Sequence, residues 1–174
     1  MKKISILGAT GSVGINALKV LAIHKKEYSV IALTAYKNYK KLAKYAVMFK
    51  CKYAVIGEEK FYKKLQNELS GSNIKCLAGN QAICEVSGLR VDILISAIVG
   101  IAGLKPTFES LGNTKVLAIA NKESVISAGN LLLKKAKVKK TKIIPLDSEH
   151  NAIFQVLQKE NKNNIRNIIL TASG

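Results

Sequence analysis

Arginine is almost missing from this chain. Of 28 basic residues only Arg90 and Arg166 are arginine, and the rest are lysine. Nucleic-acid sites recruit arginine for bidentate and stacking contacts. A net charge of +17 carried by dispersed lysines therefore reads as a lysine-rich surface that attracts anionic ligands at long range. A basic nucleic-acid-binding module stays as an alternative, and no nucleic-acid partner is expected. Cysteine is scarce too. Cys51, Cys76 and Cys84 form no C-x-x-C pair and are odd in number, which excludes a disulfide framework and suggests buried, reduced thiols in a cytoplasmic protein. Long apolar runs are absent. The Met-Lys-Lys start leads into a short run ending at Gly8, too short for a signal peptide, and no stretch is long enough to span a bilayer. No membrane partner is expected. No internal repeat or low-complexity linker interrupts the chain, and its 48% hydrophobic and 22% charged residues exclude a disordered protein.

What is present alternates. Apolar runs at Lys3–Leu7, Ser29–Ala35, Tyr53–Ile56, Asn73–Leu77, Val91–Ser96, Lys115–Ala120 and Lys142–Leu146 read as strands. Pro145 suits an edge or a strand end. Helical stripes lie between several of them, such as Val13, Ala17, Leu18 and Leu21, then Leu42, Tyr45, Ala46 and Phe49, then Phe61, Leu65 and Leu69. Strands without polar alternation, separated by amphipathic helices, predict an α/β fold: a Rossmann-like parallel sheet with helices on both faces. Lys134–Lys140 reads as a solvated helix end and turn. Asn167–Leu170 reads as one more strand, followed by loop chemistry at Thr171–Gly174, so the chain looks cut short there.

Three stretches carry chemistry. Gly8-x-x-Gly11-x-x-Gly14 stands between a strand and a helix. Its glycines allow close backbone approach, and the free N–H groups and dipole of the helix start attract a pyrophosphate. Thr10 and Ser12 add hydroxyl donors. After the second strand an NAD-binding fold usually places an acid for the ribose hydroxyls. Here no acid occurs from Ser29 to Lys52, and Tyr36-Lys37-Asn38 stands at the strand end. Lys37 suits a 2′-phosphate, so NADP is favoured over NAD. Asp147-Ser148-Glu149 follows another strand; in extended backbone Asp147 and Glu149 point to one side and suit a hard cation, Mg²⁺ or Mn²⁺. Asn121-Lys122-Glu123-Ser124 stays open between a crevice edge that binds substrate and nicotinamide ribose and a plain helix start with Asn121 as cap.

Taken together, five stretches resemble the 1-deoxy-D-xylulose 5-phosphate reductoisomerase family: Gly8–Gly14, Ala97–Leu104, Ala120–Ser124, Pro145–Gln155 and Leu170–Gly174. The string Asp-Ser-Glu-His-Asn-Ala-Ile-Phe-Gln from Asp147 is the most specific of them. The resemblance implies an NADPH- and divalent-metal-dependent oxidoreductase of non-mevalonate isoprenoid biosynthesis. It would isomerise and reduce 1-deoxy-D-xylulose 5-phosphate to 2-C-methyl-D-erythritol 4-phosphate. Thr10, Gly11, Ser12 and Val13 would hold the pyrophosphate, Lys37 and Asn38 the 2′-phosphate end, and Asn121 and Glu123 the nicotinamide side. Lys122 and Ser148 would contact the sugar phosphate; Asp147 and Glu149 would be metal ligands, and Lys122, Ser148 and Glu149 the catalytic residues. Residues 1–146 would form an NADPH-binding Rossmann-type domain, and 147–174 the beginning of a catalytic, metal-binding α/β domain. The family pattern continues with a third metal carboxylate, phosphate-binding groups, a lid and a helical domain, and the full-length enzyme would be a homodimer. This chain by itself is expected to bind NADPH without appreciable turnover. The family carries glycine where this chain has Tyr36, so a crowded adenosine end is also expected. Another NADP-dependent dehydrogenase on the same fold is a further alternative, but it leaves Asp147-Ser148-Glu149-His150 unexplained.

Overall fold

The computed structural model describes residues 1–157 and 165–169. Strands β1 (Lys2–Leu7), β2 (Tyr28–Ala35), β3 (Tyr53–Ile56), β4 (Lys75–Ala78), β5 (Val91–Ser96), β6 (Thr114–Ile119) and β7 (Lys142–Pro145) form one sheet in the order β4-β3-β2-β1-β5-β6-β7. Every pairing is parallel. Helices α1 (Ser12–Ile23), α2 (Tyr39–Met48), α3 (Tyr62–Glu68), α4 (Gly79–Ser87), α5 (Leu104–Ser110) and α6 (Lys122–Val138) connect them, and α7 (Ser148–Val156) follows the last strand.

The burial pattern explains the missing polar alternation. Ile4 and Ile6 pack with Leu18, Leu42 and Leu65 of α1, α2 and α3 on one face of the sheet. Leu7, Leu94 and Leu117 pack with Leu132 of α6 on the other, where Val55 also meets Ile83 of α4. A strand covered on both faces has no solvent side to mark with polar residues. A register shift beside Ile4 sets Ser5 against Ala32 rather than Ile31, so Ile31 and Ala32 both join the second face. Pro145 ends the edge strand β7, where its missing N–H removes no central ladder bond.

Two helices exceed the sequence reading. The α4 helix starts directly after β4 through Gly79 at φ +91°, and α5 spans seven residues with Pro106 in its first turn, where an N–H has no intrahelical acceptor. The lysine run closes α6 as expected, with Lys139 at the cap and Lys140 at φ +55°. One expectation fails: Asn167–Ile169 are exposed and belong to no strand. Among the described residues no strand pairs with them, and apolar residues alone do not make a strand. Leu170 and the loop Thr171–Gly174 lie outside the described residues. Cys51 is buried, its thiol pushed up to about 12 by burial, and all three cysteines are free. Among the described residues no helix is long and apolar enough to cross a membrane.

The topology fixes where a ligand goes. The chain builds outward from β1 to β4, then returns to place β5 on the other side of β1. Loops after β1 and β5 therefore diverge at their carboxyl ends and open a crevice.

Candidate functional site

The loop after β1 is shaped from within the sheet. Gly8 takes φ +82°, its N–H donates to Thr34 Oγ1 at 3.0 Å, and the next N–H, of Ala9, donates to the Thr34 carbonyl at 2.7 Å. A Cβ on Gly8 would strike the Ala97 carbonyl after β5, so a bare backbone is what lets the two crevice loops meet. Gly11 caps α1, and no side chain bonds to that cap. The first-turn N–H groups of Ser12 and Val13 are thus left for an anion, with the dipole of a 12-residue helix behind them. Thr34 escaped the sequence reading; its signal was a polar residue, 1% exposed, near the carboxyl end of a mostly apolar strand.

At the end of β2, Tyr36, Lys37 and Asn38 are all exposed. Asn38 caps α2, its Oδ1 accepting from the Lys41 N–H at 3.1 Å. Lys37 holds its ammonium 5.5 Å from the centre of the Tyr36 ring. The expected crowding takes a different form, because that ring lies against Gly57 after β3, on the side of β2 away from the glycine loop.

Beyond the crevice, Asn121 resolves its open reading towards a helix cap. It is 2% exposed; its Oδ1 accepts from the Ser124 N–H at 2.8 Å, and its Nδ2 donates to the carbonyls of Ile98 and Gly100. With both amide protons and the carbonyl oxygen engaged, the side chain has little left for a ligand. Its work is to tie the β6 loop to the β5 loop. Gly103 gives it room, since a Cβ there would strike the amide nitrogen. Glu123 stands in the first turn of α6 and Lys122 is exposed at its start.

Asp147-Ser148-Glu149 departs from the extended geometry expected of it. Asp147 is the cap of α7, and Ser148 and Glu149 already belong to the helix. The short carboxylate can accept the free His150 N–H, at 2.9 Å, and thereby nucleates the turn. His150 Nδ1 lies 2.6 Å from the same Oδ1. Partial burial alone would raise the Asp147 carboxyl, but the bonds from the His150 peptide and ring, with the ring's charge, hold it below the ordinary carboxylate value. Glu149 is held low by its own N–H, then by the Ser148 hydroxyl, which donates at 2.9 Å, and by the charge of Lys122. Asp147 pushes Glu149 the other way, so Glu149 feels both the Lys122 ammonium and the Asp147 carboxylate. Two ionised carboxylates are hard oxygen donors, and this chemistry fits a divalent cation that takes about six oxygens, several from water. Among the described residues no group of three or more His, Cys, Asp or Glu converges, so these two carboxylates would supply only part of a cation's ligands.

A parallel, switch-pointed sheet with an uncapped helix start behind a glycine turn defines a Rossmann-type nucleotide-binding protein. Residues 4–129 match the family described as 1-deoxy-D-xylulose 5-phosphate reductoisomerase, and residues 143–174 match that family's C-terminal domain. The chain belongs to the 1-deoxy-D-xylulose 5-phosphate reductoisomerase family. It is 51% identical over 175 residues to the protein of that name from Wolbachia pipientis subsp. Culex pipiens (strain wPip), covering 100% of this chain and 44% of the relative. Among solved structures it superposes on the Zymomonas mobilis enzyme in complex with NADPH with a TM-score of 0.90 and 40% identity, covering 93% of this chain and 43% of that one. A second, of DOX-P reductoisomerase with NADPH, fosmidomycin and magnesium, matches with a TM-score of 0.87 and 35% identity over 93% of this chain and 40% of that one. The chain thus spans less than half the length of the relatives it matches.

Proposed function

We propose that this chain supplies the NADPH-binding part and the first metal ligands of an enzyme that isomerises and reduces 1-deoxy-D-xylulose 5-phosphate to 2-C-methyl-D-erythritol 4-phosphate. One observation carries the reading: chemistry-bearing loops follow one another along a single sheet edge in the order β2, β1, β5, β6, β7. Adjacent strands lie about 4.8 Å apart, so this edge runs about 19 Å, long enough for an extended dinucleotide with a small substrate at its far end. Lys37, with Asn38 beside it, marks the 2′-phosphate end. Thr10, Gly11, Ser12 and Val13 receive the pyrophosphate, and Glu123 lies towards the nicotinamide side on a loop that Asn121 positions. Lys122 and Ser148 offer an ammonium and a hydroxyl to the sugar phosphate, and Asp147 and Glu149 are the metal ligands from this chain.

When bound, NADPH supplies a hydride, and Mg²⁺ or Mn²⁺ stabilises charge developing on adjacent substrate oxygens. The chain's own residues bind and orient. Lys122 attracts the anionic substrate towards the carboxylates, and the Glu149 carboxylate is held low first by its own N–H and then by the Ser148 hydroxyl, with Lys122 adding to them. His150 fixes the Asp147 carboxylate from two directions. We take residues 1–146 as the nucleotide-binding unit and 147–174 as the start of the catalytic part, a division supported by the pairing of β7 with β6. A cytoplasmic, homodimeric full-length enzyme is part of the same proposal. Neither alternative draws support from the relatives.

Lys37→Ala tests the assignment. It should weaken NADPH binding by about tenfold to a hundredfold, the worth of a charge-assisted phosphate contact, and leave NADH binding unchanged. Equal loss for both cofactors, read by titration calorimetry, would show Lys37 to be only a surface charge.

A further inference from the structure

The surroundings of Tyr36 suggest a use for its ring. It is 62% exposed, yet it is not loose. The backbone is tied to the next strand, the Glu58 N–H donating to the Tyr36 carbonyl at 2.9 Å and the Gly57 N–H to the Ala35 carbonyl at 2.8 Å. The ring rests against Gly57, where a Cβ would come 2.8 Å from Tyr36 Cδ2. The missing side chain at Gly57 is the space the ring uses. Over the ring lies the Lys37 ammonium, 5.5 Å from its centre. The neighbouring acid, Glu58, is ion-paired with Lys60, so its charge is offset.

An exposed aromatic seated on backbone, beside the lysine assigned to a 2′-phosphate, has the form of a stacking platform. On the reading that this edge binds NADPH, we infer that Tyr36 is the adenine-stacking residue of the cofactor site, with Lys37 exchanging its ring contact for the 2′-phosphate as the base arrives. The magnitudes favour the exchange. An exposed cation–π contact is worth about twofold to fivefold in binding, whereas stacking a base on an aromatic ring is worth about fivefold to a hundredfold. The displaced ammonium also gains a charge-assisted bond to phosphate, stronger than its contact with the ring. Tyr36 thus makes the adenosine end a binding determinant.

The test titrates the 174-residue chain and its Tyr36→Phe, Tyr36→Leu and Tyr36→Gly variants with NADPH, with 2′,5′-ADP and with reduced nicotinamide mononucleotide, folding being checked by circular dichroism. Tyr36→Phe should bind 2′,5′-ADP as the parent does. Tyr36→Leu keeps bulk without the π-face, and it should weaken 2′,5′-ADP and NADPH about fivefold or more, as should Tyr36→Gly. The mononucleotide, which lacks adenine, should be indifferent to all three. Adenine H2 and H8 should shift upfield on binding the parent and not the glycine variant. Unchanged or tighter 2′,5′-ADP binding by Tyr36→Gly overturns the stacking role and leaves the NADPH reading intact. A parent chain that binds neither NADPH nor 2′,5′-ADP overturns that reading, and this inference with it.

Discussion

Replacing Gly14 with alanine should abolish measurable NADPH binding and destabilise the fold, whereas Gly11→Ala should leave the fold nearly untouched. At Gly14 a Cβ would strike the Gly8 carbonyl and stand 2.6 Å from Ala9 Cα and 2.8 Å from its carbonyl carbon. All of these are backbone atoms, which cannot swing aside as a side chain would. Either the first turn of α1 lifts away from the loop, or the loop leaves the end of β1. Overpacking of this kind costs about 1–3 kcal/mol, and the upper end applies where only backbone can yield. The functional cost is larger, because the displaced turn carries the N–H groups that would face the pyrophosphate. At Gly11 the nearest contact for a Cβ is 3.4 Å from the Gly8 carbonyl, and the residue is exposed at the cap. Thermal unfolding and NADPH titration of both variants separate the two effects. Comparable unfolding temperatures for Gly14→Ala and the parent would contradict the packing argument.

Asn121→Leu should be the most destabilising substitution in the β6 loop. The side chain is nearly the same size, so little packing changes, but two carbonyls lose their donor and α6 loses its cap. Stranding buried polar groups costs about 1–3 kcal/mol each and a lost cap about 1 kcal/mol. The sum is about 3–7 kcal/mol, or a fall in unfolding temperature of about 6–28 °C for a chain of this length. Asn121→Asp sharpens the test by keeping the cap while turning a carboxylate towards two carbonyl oxygens. Burial against acceptors raises the folded-state pKa of the new carboxyl above its unfolded value of about 3.9. Relative to the parent, the variant is then least destabilised below that value and loses stability as pH rises through its raised folded pKa. A deficit independent of pH would mean that the amide protons do not hold the loop.

Much of this was legible in the sequence, for identifiable reasons. A sheet buried on both faces writes itself as unbroken apolar runs, and β1, β2, β3, β5, β6 and β7 were all readable in that form. The glycine turn was readable because Gly8 at φ +82° and the crowded Gly14 exclude most other residues. What stayed hidden depends on three-dimensional proximity. Nothing local says that Thr34 reaches across to the Gly8 N–H, 26 residues away, or that Asn121 reaches the carbonyls of Ile98 and Gly100. At Asp147-Ser148-Glu149 the residue pattern predicts extended backbone, whereas Asp147 is a helix cap and only Glu149 feels the charge of Lys122. Both geometries favour a short carboxylate at that point. Asn167–Ile169 show the converse: apolar residues suggest a strand, but among the described residues they pair with none.

On the proposed reading the edge from β2 to β6 holds NADPH, with Lys37 reading the 2′-phosphate and β7 left for metal and substrate. Calorimetric titration of the chain with NADPH and, separately, with NADH tests it most directly. At about 0.15 M salt long-range attraction to the lysine-rich surface is screened beyond roughly 8 Å, so what remains is local contact. The account predicts that NADPH binds at least tenfold more tightly than NADH. Equal affinity for the two, or no binding of either, would contradict it.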